Sequence, residues 1–152
     1  MTRGAVVLFT FDRTVKAGRE EFFDWWSDFT PTDHAGPNWP PKLAQERTVV
    51  EQDGRHAVMD DLIGSLHVHS TVTKNRPAGL ESRGESRMVS MARHVVFTPV
   101  PEGTRLHIEI EFTPHGIAKL LFPMGKARVF GRVTEDLETH IKDFYTDTGR
   151  HD

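Results

Sequence analysis

The pair Arg93-His94, set in the apolar run 88–98, is the first place in the chain where chemistry is expected. A guanidinium in an apolar wall can bind a carboxylate, a phenolate or an enolate, and can stabilise charge developing on an oxygen. The odd positions of the run are Val89, Met91, Arg93, Val95 and Phe97; the even ones are Met88, Ser90, Ala92, His94, Val96 and Thr98. The odd set is the more apolar, so on a strand it faces the interior and carries Arg93 with it. A bulge or a shifted register would bring His94 inside instead. A buried arginine is costly unless paired. An inward Arg93 therefore calls for a carboxylate from the lining, an anionic group on a ligand, or a side chain that snorkels to the rim.

His34, with Asp28 and Asp33 beside it, is the other candidate for acid or base work, at the mouth of a cavity. Capping and turn roles account for the two aspartates equally well. His67-Val68-His69 puts two imidazoles on one face of a strand, where Glu109 or His107 could complete a zinc set. Leu66, Val68 and Val72 hold the opposite, apolar parity, so His67 and His69 are expected to face solvent, and no metal site is expected. The chain has no cysteine, which removes thiolate nucleophiles and Cys-ligated metals. It also lacks the Gly-x-Ser-x-Gly elbow, the phosphate-binding glycine loop and the dinucleotide fingerprint. No cofactor is expected.

The chain of 152 residues is 37% hydrophobic and 27% charged with a formal charge of −3, which describes one globular domain spanning 1–152. An acidic balance without a basic stripe argues against nucleic acid. No apolar stretch approaches the roughly 20 residues that span a bilayer, so stable membrane insertion is not expected. The N-terminus lacks the apolar core of a signal peptide. A cytoplasmic monomer or homodimer is the expectation.

These residues must be positioned by the elements around them. Residues 5–15 alternate, with Val7, Phe9, Phe11 and Val15 on one face, which predicts a strand. Phe22, Trp25, Trp26 and Phe29 follow helical i, i+3, i+4, i+7 spacing and predict a short helix over 19–29. Residues 31–41 hold four of the nine prolines and read as a corner, with room for one helical turn. Strands are predicted over 43–51, 55–63, 66–76, 79–86, 88–98 and 105–112, separated by turn residues. Tight turns make them an antiparallel meander. In the last strand Leu106, Ile108, Ile110 and Phe112 form an unambiguous inner face. Residues 125–145 predict a long helix with Phe130, Val133, Leu137, Ile141 and Phe144 inward, and with Arg128, Arg132, Glu135, Asp136, Glu138 and Lys142 mostly on the other face. Between them, 117–124 is apolar but broken by Pro114, Gly116 and Pro123. It is read either as a short helix over the sheet edge or as a hinged portal. An α+β fold follows, in which seven antiparallel strands curl around one long C-terminal helix.

The order of elements, with Phe11-Asp12-Arg13-Thr14-Val15 leading to Phe22-Phe23, the hairpin 96–106 (Val-Phe-Thr-Pro-Val-Pro-Glu-Gly-Thr-Arg-Leu) and the Glu135-Asp136-Leu137-Glu138 of the last helix, resembles the START-like or SRPBCC superfamily. That superfamily includes polyketide cyclase/dehydrase and birch-pollen-allergen-like helix-grip proteins. The resemblance spans nearly the whole chain and rests on architectural residues. It implies a cavity between sheet and C-terminal helix that holds a small hydrophobic molecule, lipid-like or aromatic and polyketide-like. Members of the cyclase/aromatase kind imply the alternative, an enzyme working on such a ligand by general acid and base catalysis. The expected ligand wall comprises Phe22, Trp25 and Trp26 from the first helix and Arg93, Val95, Leu106, Ile108, Ile110 and Phe112 from the sheet. Leu121 from the portal and Val133, Leu137 and Ile141 from the long helix complete it. Arg93, His34 and His94 are the catalytic candidates.

Overall fold

A computed structural model describes residues 6–43 and 45–150. Strand β1 (Val7–Val15) leads into helix α1 (Arg19–Ser27), and a single 3-10 turn (Pro41–Leu43) precedes β2 (Glu46–Gln52). The meander continues through β3 (His56–Ile63), β4 (Leu66–Asn75), β5 (Gly79–Glu85), β6 (Val89–Val100) and β7 (Gly103–Pro114), and helix α2 (Ala118–Thr148) closes the fold. The seven strands form one antiparallel sheet in the order β1-β7-β6-β5-β4-β3-β2. The first strand thus pairs with the last, and α1 with the proline-rich corner carries the chain to the far edge.

Register decides which side chains face α2. Phe9 pairs with Ile110 and Phe11 with Ile108; Arg93 pairs with Ile110, Val95 with Ile108 and Phe97 with Leu106. Leu106, Ile108 and Ile110 are fully buried, so the odd parity of β6 is the inner one and Arg93 is inside. A bulge between Val49 and Glu51 resets β2, leaving Val49 packed on the core and Val50 exposed. The sheet and both helices meet in an aromatic junction. Phe22 lies 4.8 Å from Phe144, 5.3 Å from Phe97 and 5.6 Å from Trp26, centroid to centroid.

Two expectations are corrected. Helix α1 ends at Ser27 instead of Phe29. Helix α2 begins at Ala118, seven residues before the expected Gly125, so the helical reading of 117–124 holds, with the segment forming the first turns of a helix of 31 residues instead of a separate short one. Pro123 sits in its second turn, where a missing N–H leaves a single carbonyl, that of Lys119, without its helical donor. At the other end Gly149 adopts φ 68° and its N–H bonds to Thr146 O, while Arg150 N–H reaches Tyr145 O, a left-handed glycine stop.

Gly103 holds φ +146°, and a Cβ there would lie 2.2 Å from the Val15 carbonyl oxygen. Gly131, on α2, would place a Cβ in open space. Gly103→Ala should therefore destabilise the fold by more than ~2 kcal/mol, whereas Gly131→Ala should stabilise it by ~0.5–1 kcal/mol. Urea unfolding of both variants checks this; equal effects would contradict the assigned backbone.

Candidate functional site

The aromatic junction fills one half of the space between sheet and α2. In the other half the inner positions of β4 and β5 are small: Val68, Ser70, Ser82 and Gly84. They cannot reach the helix, and a recess of about 190 Å³ remains. Trp26 and Phe29 form one end, Met59 and Ile63 line the β3 side, and Val133, Asp136, Leu137 and His140 look down from α2. The floor therefore lies on β3 to β5, not on β7 as the strand pattern suggested.

Two guanidiniums enter this recess. Arg47, inward from β2, is pinned: its Nε and Nη2 donate to Asp61 Oδ1 and Oδ2 at 2.9 and 3.1 Å, and Nη1 donates to Asp33 Oδ2 at 2.7 Å. All three side chains are nearly buried. Burial opposes the Arg47 charge, but the bond to Asp61 and the two carboxylates outweigh it, so its pKa is raised. Arg93 is different. Among the described residues no hydrogen bond or ion pair holds it. Its pKa is lowered first by burial and next by the Arg47 charge, with Asp136 and Asp61 opposing through space.

Around Arg93 stand three polar groups with buried, unpartnered atoms: Asp136 Oδ1, His140 Nδ1 and His34 Nδ1. Asp136 Oδ2 accepts a hydrogen bond from Gln45 Nε2 at 3.3 Å. Burial pushes the Asp136 carboxyl up to about 6 although Arg132 and Arg93 pull it down. His140 follows one turn later on α2, its ring 4.8 Å from Trp25 and 4.6 Å from Trp26. His34 lies 6.3 Å from His140 and nearly parallel to it, with Trp39 at 5.0 Å. Burial comes first in lowering both imidazoles, to about 3 for His140 and about 2 for His34; the Arg47 and Arg93 charges add to it. Both rings are neutral at pH 7, each with one donor and one acceptor nitrogen. The set comprises a fixed cation, a carboxyl that titrates near neutrality and two neutral imidazoles. It can hold an anionic oxygen and move a proton.

Of the residues expected to form a ligand wall, the structure brings Trp26, Arg93, Val133 and Leu137 to the recess, together with His34. Phe22, Val95, Leu106, Ile108, Ile110, Phe112 and Ile141 are buried in the core outside its lining, and Trp25 backs the His140 ring. Leu121 is corrected: it is 53% exposed on the outer side of α2. His94 is corrected too, because it points to the outer face, 3.4 Å from Glu81. His67 and His69 are exposed, and His69 Nδ1 lies 2.7 Å from Asp60 Oδ1. Asp33 is committed to Arg47, and Asp28 lines a separate outer recess.

Sequence reasoning missed Arg47, Asp61, Asp136 and His140. The signals were present. Asp61 shares parity with Ala57 and Met59, which are buried. Asp136 and His140 fall at i+3 and i+7 from Val133, on the inward stripe. Asp136 was expected on the outer face; it is on the inner one.

Buried neutral imidazoles make stability depend on pH with a definite sign. In the unfolded chain both histidines protonate near pH 6.5, and in the folded chain they do not. Their contribution is full above pH 6.5 and is lost as pH falls. Asp136 works the other way between about pH 4 and 6, since its raised pKa lets the folded chain hold the extra proton. Asp143, raised by burial, and His107, raised by its bond to Asp12, oppose the loss as Asp136 does, but the two deeply lowered imidazoles outweigh them and leave a net loss towards acid. We expect stability to fall by at least ~1 kcal/mol between pH 7 and 5 in urea titrations. His140→Asn should flatten that slope by about one proton; an unchanged slope would show that His140 is charged in the folded state.

The sequence profile of the family described as polyketide cyclase/dehydrase and lipid transport matches residues 7–142. No curated protein sequence matches the chain. Among solved structures, the di-domain ARO/CYC StfQ from the steffimycin biosynthetic pathway is similar at a TM-score of 0.72 and 14% identity, over 97% of this chain and 54% of that one. A protein from Thermus thermophilus matches at 0.68 and 15% identity, over 91% of this chain and 95% of its own. Ara h 8.0201 matches at 0.58 and 11% identity, over 91% and 99%. At these identities the structures establish the helix-grip fold. With the profile running from β1 well into α2, the chain belongs to the polyketide cyclase/dehydrase and lipid transport family.

Proposed function

We propose that the protein binds a small, largely apolar, ring-bearing molecule in the recess, with an anionic or strongly polarised oxygen set on the Arg93 guanidinium. The observation that carries this is the isolation of Arg93: a half-buried cation that no protein group contacts directly is drawn to pair with an incoming anion. The apolar side chains on β3, β4 and α2 provide area for ring contact. A cavity of about 150 Å³ takes up benzene, and drug-sized sites begin near 300 Å³; about 190 Å³ therefore suits one or two fused rings. The family description and the ARO/CYC neighbour support a cyclic, oxygenated ligand of this kind.

Calorimetric titration with 2-naphthoate and with naphthalene tests it. Arg93→Met should weaken naphthoate binding by ~10-fold or more, as expected for loss of a charge-assisted bond, and leave naphthalene binding within twofold. Equal loss for both, or loss for neither, would remove Arg93 from the site. Because the variant removes a half-buried guanidinium that no direct hydrogen bond or ion pair holds, its thermal midpoint should not fall.

A second reading, catalysis, is favoured by one observation: the Asp136 carboxyl, raised to about 6, lies on the same recess as Arg93. A carboxylate there can take a proton from carbon next to a carbonyl while Arg93 holds the enolate oxygen. Cyclisation of a poly-β-ketone mimic should then speed up as pH rises through 6 and fall ~100-fold or more in Asp136→Asn. A flat profile, or an active Asn variant, would leave binding as the function.

A further inference from the structure

Helix α2 starts with its apolar residues on the wrong side. Ile117, Leu120, Leu121 and Met124 follow i, i+3, i+4, i+7 spacing and are 71%, 76%, 53% and 85% exposed. Phe122, on the opposite side, packs 5.8 Å from Phe112, so the helix is anchored to the sheet and the outward stripe is not a fraying end. Met88 belongs to the same pole: its carbonyl accepts from His115 N–H at 2.8 Å, and its side chain is exposed. Val6, just ahead of the strand that pairs with the end of β7, is exposed there as well.

The charges at this pole differ from those elsewhere. Residues 112–134 contain Lys119, Lys126, Arg128 and Arg132, and no Asp or Glu, in a chain of 19 basic and 22 acidic residues. Arg87 lies in the turn beside Met88. Elsewhere on the surface Arg76 pairs with Asp24, Arg105 with Asp12, Arg150 with Glu21 and Lys42 with Glu135, while Lys16, Arg55, Arg83 and Lys142 are exposed and make no ion pair among the described residues. What sets this pole apart is its run of cations with no acid between them. Among the described residues Arg87, Lys119, Lys126 and Arg128 are exposed and make no ion pair, although Lys126 lies over the Phe130 ring at 5.4 Å. Of the acids on the strand ends here, Glu85 is engaged by Ser90 Oγ at 2.5 Å.

We infer that this pole docks on an anionic lipid surface, with Ile117, Leu120, Leu121 and Met124 entering the acyl boundary and the unpaired cations resting among phosphates. An exposed apolar stripe with a cationic rim is the pattern of an interfacial helix. No helix of the described residues is long and apolar enough to cross a membrane; the contact is with the surface. The unpaired cations choose a lipid surface over a second copy of this net-acidic chain, whose pole would meet like charge. The inference does not depend on what the recess binds, since Met124 and Val133 are about 13 Å apart along the helix.

Vesicle flotation provides the test, with phosphatidylcholine alone and with 30% phosphatidylglycerol. The protein should float with the anionic vesicles, at least ten times better than with the neutral ones, and 0.5 M NaCl should release most of it. Leu120→Glu/Met124→Glu, two exposed positions, should cut binding at least tenfold at an unchanged thermal midpoint. Lys126→Ala/Arg128→Ala should cut it by about fivefold per cation removed. Absence of flotation overturns the inference, as does equal binding to both vesicle types. A concentration-dependent dimer in sedimentation that Leu120→Glu/Met124→Glu abolishes would assign the stripe to self-association and overturn it as well.

Discussion

The shape of the interior follows from where bulk is available. One curved sheet and one long helix cannot meet everywhere, and the aromatic inner side chains are gathered on β1, β6, β7, α1 and the second half of α2. There Phe22, Phe97 and Phe144 interlock within 5.3 Å of Phe22, and burial of aromatic area of this size holds the helix down. On β4 and β5 the inner face narrows to serine and glycine. A Cβ on Gly84 would already stand 3.3 Å from Met91 Cε and Val68 Cγ1, so the strand is thin because its neighbours lean over it. The recess is a consequence of this uneven thickness.

Charge follows from the same geometry. Two arginines and three aspartates surround this space, and Arg47 is neutralised by Asp33 and Asp61 in bidentate and single contacts. That leaves Arg93 with Asp136 across the recess and no direct bond between them. A proton on Asp136 balances two cations with two anions; its loss leaves one anion in excess. Burial raises the carboxyl well above the usual range against the pull of Arg132 and Arg93, and burial, reinforced by the Arg47 and Arg93 charges, keeps both imidazoles neutral. A negative oxygen brought beside Arg93 would favour the protonated carboxyl further.

How much of this was legible in the sequence depended on whether a signal was local. The alternation Leu106-Ile108-Ile110-Phe112 identified the inner face of β7, and turn residues marked every strand boundary to within a few positions. The parity of Val89, Met91, Val95 and Phe97 pointed Arg93 inward. The start of α2 was not legible, because Pro114, Gly116 and Pro123 look like breaks, whereas a proline in the first two turns costs only one hydrogen bond. The recess was not legible either. Small residues such as Ser70 and Ser82 carry no periodic signal, and a cavity is defined by what fails to fill it. Asp136 and His140 were hidden by polarity: a scan for apolar stripes assigns charged residues to the outside even when their spacing puts them within.

Helix α2 reverses the usual rule at two places, and the reversals have a common meaning. In its first turns apolar side chains face water, and in its middle an acid and a histidine face the interior. Neither helps the protein fold. Exposed leucine and methionine contribute no burial, and desolvated groups such as Asp136 Oδ1 and His140 Nδ1 each cost on the order of 1–3 kcal/mol when unpartnered. Elsewhere on the same helix the rule is kept: Leu137, Ile141 and Phe144 are buried, and Lys42 meets Glu135 at 3.0 Å on the surface. Costs of this kind persist where something outside the chain offsets them. The first reversal matches an apolar, anionic surface, and the second matches a molecule with a ring and a polar oxygen. A single helix thus carries the two faces that folding alone does not explain, separated by turns that pack on β1 and β7 and fix one relative to the other.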